Sequence, residues 1–379
     1  MIYLDYSANT PVEKEVLKIF LETTTKYYGN PNSSHELGKL AFNEIEDSSK
    51  LVSKLLNCDK ESIIYTSGST ESNNLVIKGI AERNKEKGKH IIVSPIEHSS
   101  IIAPCNYLTS LGYEITILPL LKNGQIDLEV LKESIREDTI LVSICYVDSE
   151  LGTIQPINEI GELLSNYPNC LFHTDATQAV GKIKVDFNMC DFVTFSPHKF
   201  YGLNGTGVLL NLKNNKISPI IHGGKSTTIY RSGTPVTGNA TALAKALEIA
   251  ITNLEERYMY IEKLNKKLRE ELCVYSNINI NSPKFSIPHT LNISTKGIDA
   301  KKIVKYLEKN KIYVSTSSAC SLGNTPSKSV YAITNDKELA SNTIRISLSH
   351  LTKESDIDKF LNIFKSIYDK ELKNENNKD

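Results

Sequence analysis

Short β-branched runs alternate with amphipathic stretches along most of this 379-residue chain. The segments "SIIYT" (62–66), "HIIVS" (90–94), "YEITIL" (113–118), "TILVSICYV" (139–147), "CLFHTD" (170–175), "DFVTFS" (191–196) and "GVLLNL" (207–212) read as strands, since Val, Ile, Tyr and Phe suit a pleated, buried surface. Between them, apolar residues at helical spacing predict helices over about 70–85 and through Leu108. Such alternation predicts an α/β layer on a largely parallel sheet. A long helical pattern over about 235–272 leads out of that layer. Then come "TLNIS" (290–294), a helix from Asp299, "IYVST" (312–316), "TIRISLS" (343–349) and a last helix from Lys353. This second set predicts a smaller α+β domain. The expected limits are 16–255 for the large domain, 1–15 with 256–372 for the small one, and a disordered polar tail over 373–379.

Composition narrows the function class. Lys+Arg and Asp+Glu number 44 each, which excludes the basic footprint of a nucleic-acid or anionic-membrane binder. No apolar run approaches the ~18 residues of a membrane span. The start, "MIYLDYSANT", has neither a basic leader nor an apolar signal core. Cysteines stand at 58, 105, 145, 170, 190, 273 and 320, scattered and without paired metal-ligand spacing. That pattern predicts reduced thiols, no metal site and a cytoplasmic location.

In an open α/β sheet, ligands gather beyond the carboxyl ends of the strands, so the residues just after each strand matter most. "TSGSTESNN" (66–74) offers small hydroxyls and helix N–H groups, either as a phosphate cradle or as a simple helix cap. "FHTDATQAVGK" (172–182) ends a buried run with Asp175, a carboxylate that needs a cation or hydrogen bonds, or else caps a helix. "SPIEHSS" (94–100) places His98 after another strand, and "TFSPHKFYGLNG" (194–205) places Ser196, His198 and Lys199 after a third. Each signal alone is compatible with a structural role. Together, a lysine, a carboxylate, imidazoles and a phosphate cradle at one sheet edge are the set that pyridoxal 5′-phosphate requires.

The motifs "YLDYSANTPV", "GNPNSSHELG", "TSGSTESNNLVIKG", "EHSSI", "GTIQPI", "HTDATQAVGK", "FSPHKFYG", "RSGTP", "SSACS" and "TIRISLS" extend over roughly residues 2–350. In that order they resemble the cysteine desulfurases, a branch of the class V aminotransferases with the type I fold of pyridoxal-phosphate enzymes. The resemblance implies a large mostly parallel sheet flanked by helices plus a smaller α+β domain. It implies Lys199 as the Schiff-base lysine, Asp175 at the pyridine nitrogen, Gln178 at the phenolic oxygen and His98 over the ring. Ser69, Thr70, Ser196 and His198 would bind the phosphate, and Thr234 the phosphate of a partner subunit, which implies a homodimer. Arg345 would clamp the carboxylate of L-cysteine. Cys320, in the small and polar stretch "STSSACSLGNTPSK" (315–328), would accept sulfur as a persulfide on a mobile loop. Its sulfur would pass to an acceptor protein such as an iron–sulfur scaffold or a tRNA-thiolation enzyme. His98 is a candidate for favouring the Cys320 thiolate.

Two segments depart from the family. "VDSE" (147–150) puts Asp148 where an asparagine normally donates to cofactor or substrate. An ionised aspartate cannot donate, so it must be protonated, turned away or matched to a cation. "HGGKSTTIYRSGT" (222–234) has Lys225, Ser226 and Thr227 in place of a polar-acidic pair, and Lys225 is the expected partner of Asp148. These changes leave open a selenocysteine lyase or other cysteine-type β-lyase, and also a catalytically weak sulfur-relay dimer.

Overall fold

The computed structural model describes residues 1–224, 226–316 and 326–376, with side chains as far as Glu371. In chain order the strands are β1 (Ile2–Tyr3), β2 (Ile63–Thr66), β3 (His90–Val93), β4 (Glu114–Ile117), β5 (Thr139–Ser143), β6 (Leu171–Asp175), β7 (Phe192–Phe195), β8 (Gly207–Asn211), β9 (Ile278–Ile280), β10 (Thr290–Thr295), β11 (Ile312–Tyr313) and β12 (Thr343–Ser347). The helices are α1 (Lys14–Lys26), α2 (Glu36–Leu56), α3 (Ser69–Asn84), α4 (Ser99–Thr109), α5 (Leu128–Ser134), α6 (Ile157–Leu164), α7 (Thr237–Thr252), α8 (Leu254–Leu272), α9 (Ala300–Lys309), α10 (Lys328–Thr334), α11 (Lys337–Ser341) and α12 (Glu354–Asn376).

The large sheet has the order β2-β8-β7-β6-β5-β3-β4. All its neighbours are parallel except β8, which runs antiparallel to β2 and β7. Its central strands are buried on both faces, so they read as continuous apolar runs. Successive residues still point to opposite sides. Val142 joins the core with Phe172, Val193 and Leu247 of α7, whereas Leu141 joins Phe192, Leu75 of α3 and Ile101 of α4. The expected mostly parallel α/β architecture is therefore present.

A second core holds Leu264, Leu268, Ile293, Ile303, Ile344, Phe360 and Phe364. It lies around the antiparallel sheet β12-β10-β9 and the parallel pair β1-β11. Ile2 pairs with Ile312, and Asp5 bridges Ser347. The chain then turns under the large sheet, where Thr10 N–H donates to the His198 carbonyl at 3.1 Å. Residues 5–10 thus connect β12 to the lysine-bearing loop.

Several elements differ from the sequence-based expectation. The run 139–147 leaves the ladder at Ser143 because the Cys145 N–H is taken by the Glu97 carboxylate at 2.7 Å rather than by β3. The long helix divides at Asn253, whose side-chain amide donates to the Ile249 carbonyl at 2.8 Å and competes with the backbone. The last helix continues to Asn376, where the polar composition predicted a disordered tail from 373. Its Lys- and Glu-rich end extends a helix already anchored by Phe360 and Phe364. Among the described residues no helix is long and apolar enough to cross a membrane.

Candidate active site

Segments leaving one edge of the large sheet surround a cavity of about 240 Å³. Its wall includes Ser69 and Thr70 after β2, His98 after β3, Cys145 and Ser149 after β5, Asp175 and Gln178 at the end of β6, and His198 and Lys199 after β7. Ser7 and Ala8 of the N-terminal segment and Arg345 of β12 close it. Parallel strand order brings these distant residues together, since each crossover returns its strand's carboxyl end to the same edge.

Lys199 sits on a single 3-10 turn, Pro197–Lys199. Its Nζ donates to the carbonyls of Ser7 at 2.8 Å and Ala8 at 2.6 Å. Asp175 is buried, and its Oδ2 accepts from Asn73 Nδ2 at 2.8 Å while Oδ1 accepts from the Thr177 N–H at 3.0 Å. Asn73 Nδ2 also donates to Ser100 Oγ at 2.8 Å. That hydroxyl lies 2.8 Å from His98 Nδ1, which further accepts from the Ser100 N–H at 3.2 Å. With Nδ1 accepting, the ring's proton belongs on Nε2. Burial, and after it the Lys199 charge against an opposing pull from Asp175, holds His98 below its ordinary 6.5. With Nδ1 taken up by Ser100, Nε2 is the ring nitrogen left free of that contact.

Local backbone geometry shapes the start of α3. Gly68 precedes α3 with φ 157° and brings no capping side chain of its own. Ser196 Oγ accepts from the Ser69 N–H at 2.7 Å. Gly207 lets β8 approach, because a Cβ there would stand 2.5 Å from the Gly68 carbonyl carbon. His198 is pushed down to about 4 by burial and then by the charges of Lys199 and Lys182. It is neutral too.

Arg345 is 1% exposed. Its NH2 donates to Asp5 Oδ1 at 2.8 Å and its NH1 to the Ser149 carbonyl at 3.2 Å, while Nε has no partner. Asp5 and Asn73 were not singled out from sequence. A signal for Asn73 did exist, since a polar residue falls on the buried side of the 69–84 helix; Asp5 had none before β1 was paired.

Of the three alternatives for Asp148, the structure has it turned away. Its carboxylate does not line the cavity: Oδ2 accepts the N–H groups of Glu150 and Leu151, and Oδ1 lies 3.1 Å from the Ser329 hydroxyl. It is turned away from the cleft, and burial together with the Glu150 charge pushes its carboxyl up to about 7. The expected partner, Lys225, and the expected acceptor, Cys320, lie outside the described residues. Thr234 is exposed, and its expected reach toward a second subunit involves a chain beyond this one. Cys145, a cysteine in the cavity wall, is held as a thiol by burial and by the carboxylates of Glu97, Asp148 and Asp175. It is a poor nucleophile.

Residues 2–360 match the family model Aminotransferase class-V. A protein named cysteine desulfurase IscS from Dictyoglomus turgidum is 37% identical over 374 residues, which is 97% of this chain and 95% of that one. A NifS/IcsS protein homolog from Lactobacillus delbrueckii subsp. bulgaricus is 38% identical over 97% of each chain. A solved structure of a NifS-like protein superposes with a TM-score of 0.91 at 34% identity, covering 97% of this chain and 99% of its own.

Proposed function

The chain belongs to the class-V aminotransferase family, and from that premise we propose that it is a cysteine desulfurase using pyridoxal 5′-phosphate. It converts L-cysteine to L-alanine and passes the sulfur to an enzyme cysteine. One observation carries the reading: Lys199, Asp175, Gln178, His98 and Arg345 converge with Ser69 and Thr70 at the start of α3 on a single cavity. The names of the relatives support the same activity.

The donor set fits the cofactor. A buried carboxylate is available for a protonated ring nitrogen, and the Thr177 hydroxyl is buried without a partner in the cavity wall. Ser69, Thr70, Ser196 and His198 would hold the phosphate, Gln178 the phenolic oxygen, His98 the ring face, and Lys199 the aldehyde carbon. Thr234 would serve the phosphate of a second copy, making the working unit a homodimer. When bound, the cofactor supplies an aldehyde that condenses with an amine and a ring that accepts the electrons left by the α-proton.

The chain's own groups supply the rest. Arg345 binds the substrate carboxylate, and Asp5 holds the guanidinium in place for it. The Lys199 amine takes the α-proton. Neutral His98 carries a proton at Nε2 for the substrate side of the cleft. Cys320 attacks the substrate sulfur as a thiolate: an S–S bond forms, the C–S bond breaks with its electron pair moving to carbon, and protonation of that carbon yields alanine. The resulting persulfide serves an acceptor protein of iron–sulfur assembly or tRNA thiolation.

Borohydride treatment of the loaded protein should fix the cofactor on Lys199, and incubation with L-cysteine should give alanine. Cys320→Ser should keep the visible absorption yet release no sulfide. Failure to trap the cofactor at Lys199 would remove the proposal. Running selenocysteine beside cysteine distinguishes a selenocysteine lyase.

A further inference from the structure

The motif "HTDATQAVGK" ends on a lysine that the proposed chemistry leaves unused. Lys182 is 7% exposed, and among the described residues no carboxylate forms an ion pair with it. A buried ammonium is costly, so its placement calls for a reason. The turn after Asp175 brings it back under the site, with Gly181 at φ 75° where a Cβ would meet Phe200 Cβ at 2.8 Å. There Lys182 Nζ donates to Gln178 Oε1. At its other end, Gln178 Nε2 donates to the Ser7 carbonyl at 3.0 Å, the same oxygen that accepts from Lys199.

We propose that Lys182 is a positioning residue that fixes the Gln178 amide with its N–H₂ end toward the cleft and strengthens it as a donor to the cofactor's phenolic oxygen. This deepens the desulfurase reading and rests on it. An ammonium only donates, so the amide oxygen must face it, and the amide nitrogen must then face the opposite way. An ammonium on the amide oxygen also polarises the far N–H groups. The Ser7 carbonyl cannot do this work alone, because it holds the nitrogen end while also receiving Lys199. Lys182 holds the oxygen end.

Two neutral imidazoles share a small cavity with Lys182. Behind Lys199 lies a cavity of about 10 Å³ lined by Lys182, Arg257, His289 and His350 among others. Among the described residues the Nδ1 atoms of His289 and His350 have no hydrogen-bond partner. Burial keeps both rings neutral, His289 well below its ordinary value and His350 at about 4. Burial, and after it the charges of Lys199 and Arg345, lower Lys182 to about 7.

The test is the pH midpoint of the visible absorption band in the cofactor-loaded protein. Lys182→Met is close in size and removes both donor and charge. It weakens the donation to the phenolic oxygen, which then holds the neighbouring imine proton more tightly. The midpoint should rise by about one pH unit, roughly tenfold in proton affinity. The same change in a Gln178→Leu background should move it by less than about 0.3 units, because the lysine acts through that amide. An unmoved midpoint, or an equal movement in both backgrounds, overturns the proposal. If Lys182→Met does not fold, Lys182→Gln takes its place, since its amide can still donate to Gln178. It keeps the donor and loses the charge, so a rise of about half a unit is then expected, and an unmoved midpoint refutes the idea. A visible band absent from the unmodified protein would instead sink the desulfurase reading.

Discussion

Asp148→Asn restores an amide at a buried carboxyl, and its effect on stability follows from the contacts. Oδ2 accepts two backbone N–H groups and Oδ1 faces the Ser329 hydroxyl. An asparagine can satisfy the same set, with Oδ1 accepting from the backbone and Nδ2 donating to Ser329 Oγ. The carboxylate itself is raised from 3.8 to about 7 by burial and by Glu150. The folded state therefore binds this proton more tightly than the unfolded chain does. Stability from the protonated form is complete below pH 3.8 and is lost as pH rises to about 7. At about 1.4 kcal/mol per unit, the wild-type protein should lose roughly 2–3 kcal/mol between pH 5 and pH 8 through this group. The asparagine variant should not. Melting temperatures of both proteins at the two pH values measure it, and at about 2 °C per kcal/mol the variant's advantage should be several degrees larger at pH 8. An equal difference at both pH values, or a less stable variant at pH 8, would refute the reasoning.

Asn73→Ala removes a hydrogen bond to the Asp175 carboxylate and the link to Ser100. Bonds to charged groups are worth about 1.5–3 kcal/mol, so cofactor retention in equilibrium dialysis should weaken ten- to a hundredfold, and unchanged retention would count against the network. Arg345→Lys loses the planar fork. The KM for cysteine should rise about tenfold or more with the cofactor's spectrum intact, and an unchanged KM would place the carboxylate elsewhere. Burial holds His98 below 6.5, so its neutral form persists as pH falls from 8 toward that value. Any acid limb of kcat/KM from this ring should lie below pH 6.5. In His98→Gln such a limb should vanish, whereas a limb above that value which vanishes with the same change would contradict the assignment.

Much of this was legible in the linear pattern. Continuous apolar runs such as "ILV" in β5 mark strands buried on both faces, and their regular return through helices predicted a mostly parallel sheet. Motifs after the strand ends located Lys199, Asp175, His98 and the start of α3 before any coordinates. Local chemistry suffices for such signals, because strand periodicity and helix starts are short-range properties.

What the order of residues could not decide was direction and partnership. The motif left Asp148 protonated, turned away or matched to a cation, and the turn at 148–151 points it to backbone amides and Ser329. Asp5 meets Arg345 across 340 positions, and Asn73 bridges Asp175 to Ser100 only because α3 and α4 pack against the same sheet edge. The residue types that the chemistry uses were determined locally by strand ends, turns and helix starts. Which atoms face one another was decided only by tertiary closure, since a buried polar group takes whichever partner the packed chain brings within hydrogen-bond reach.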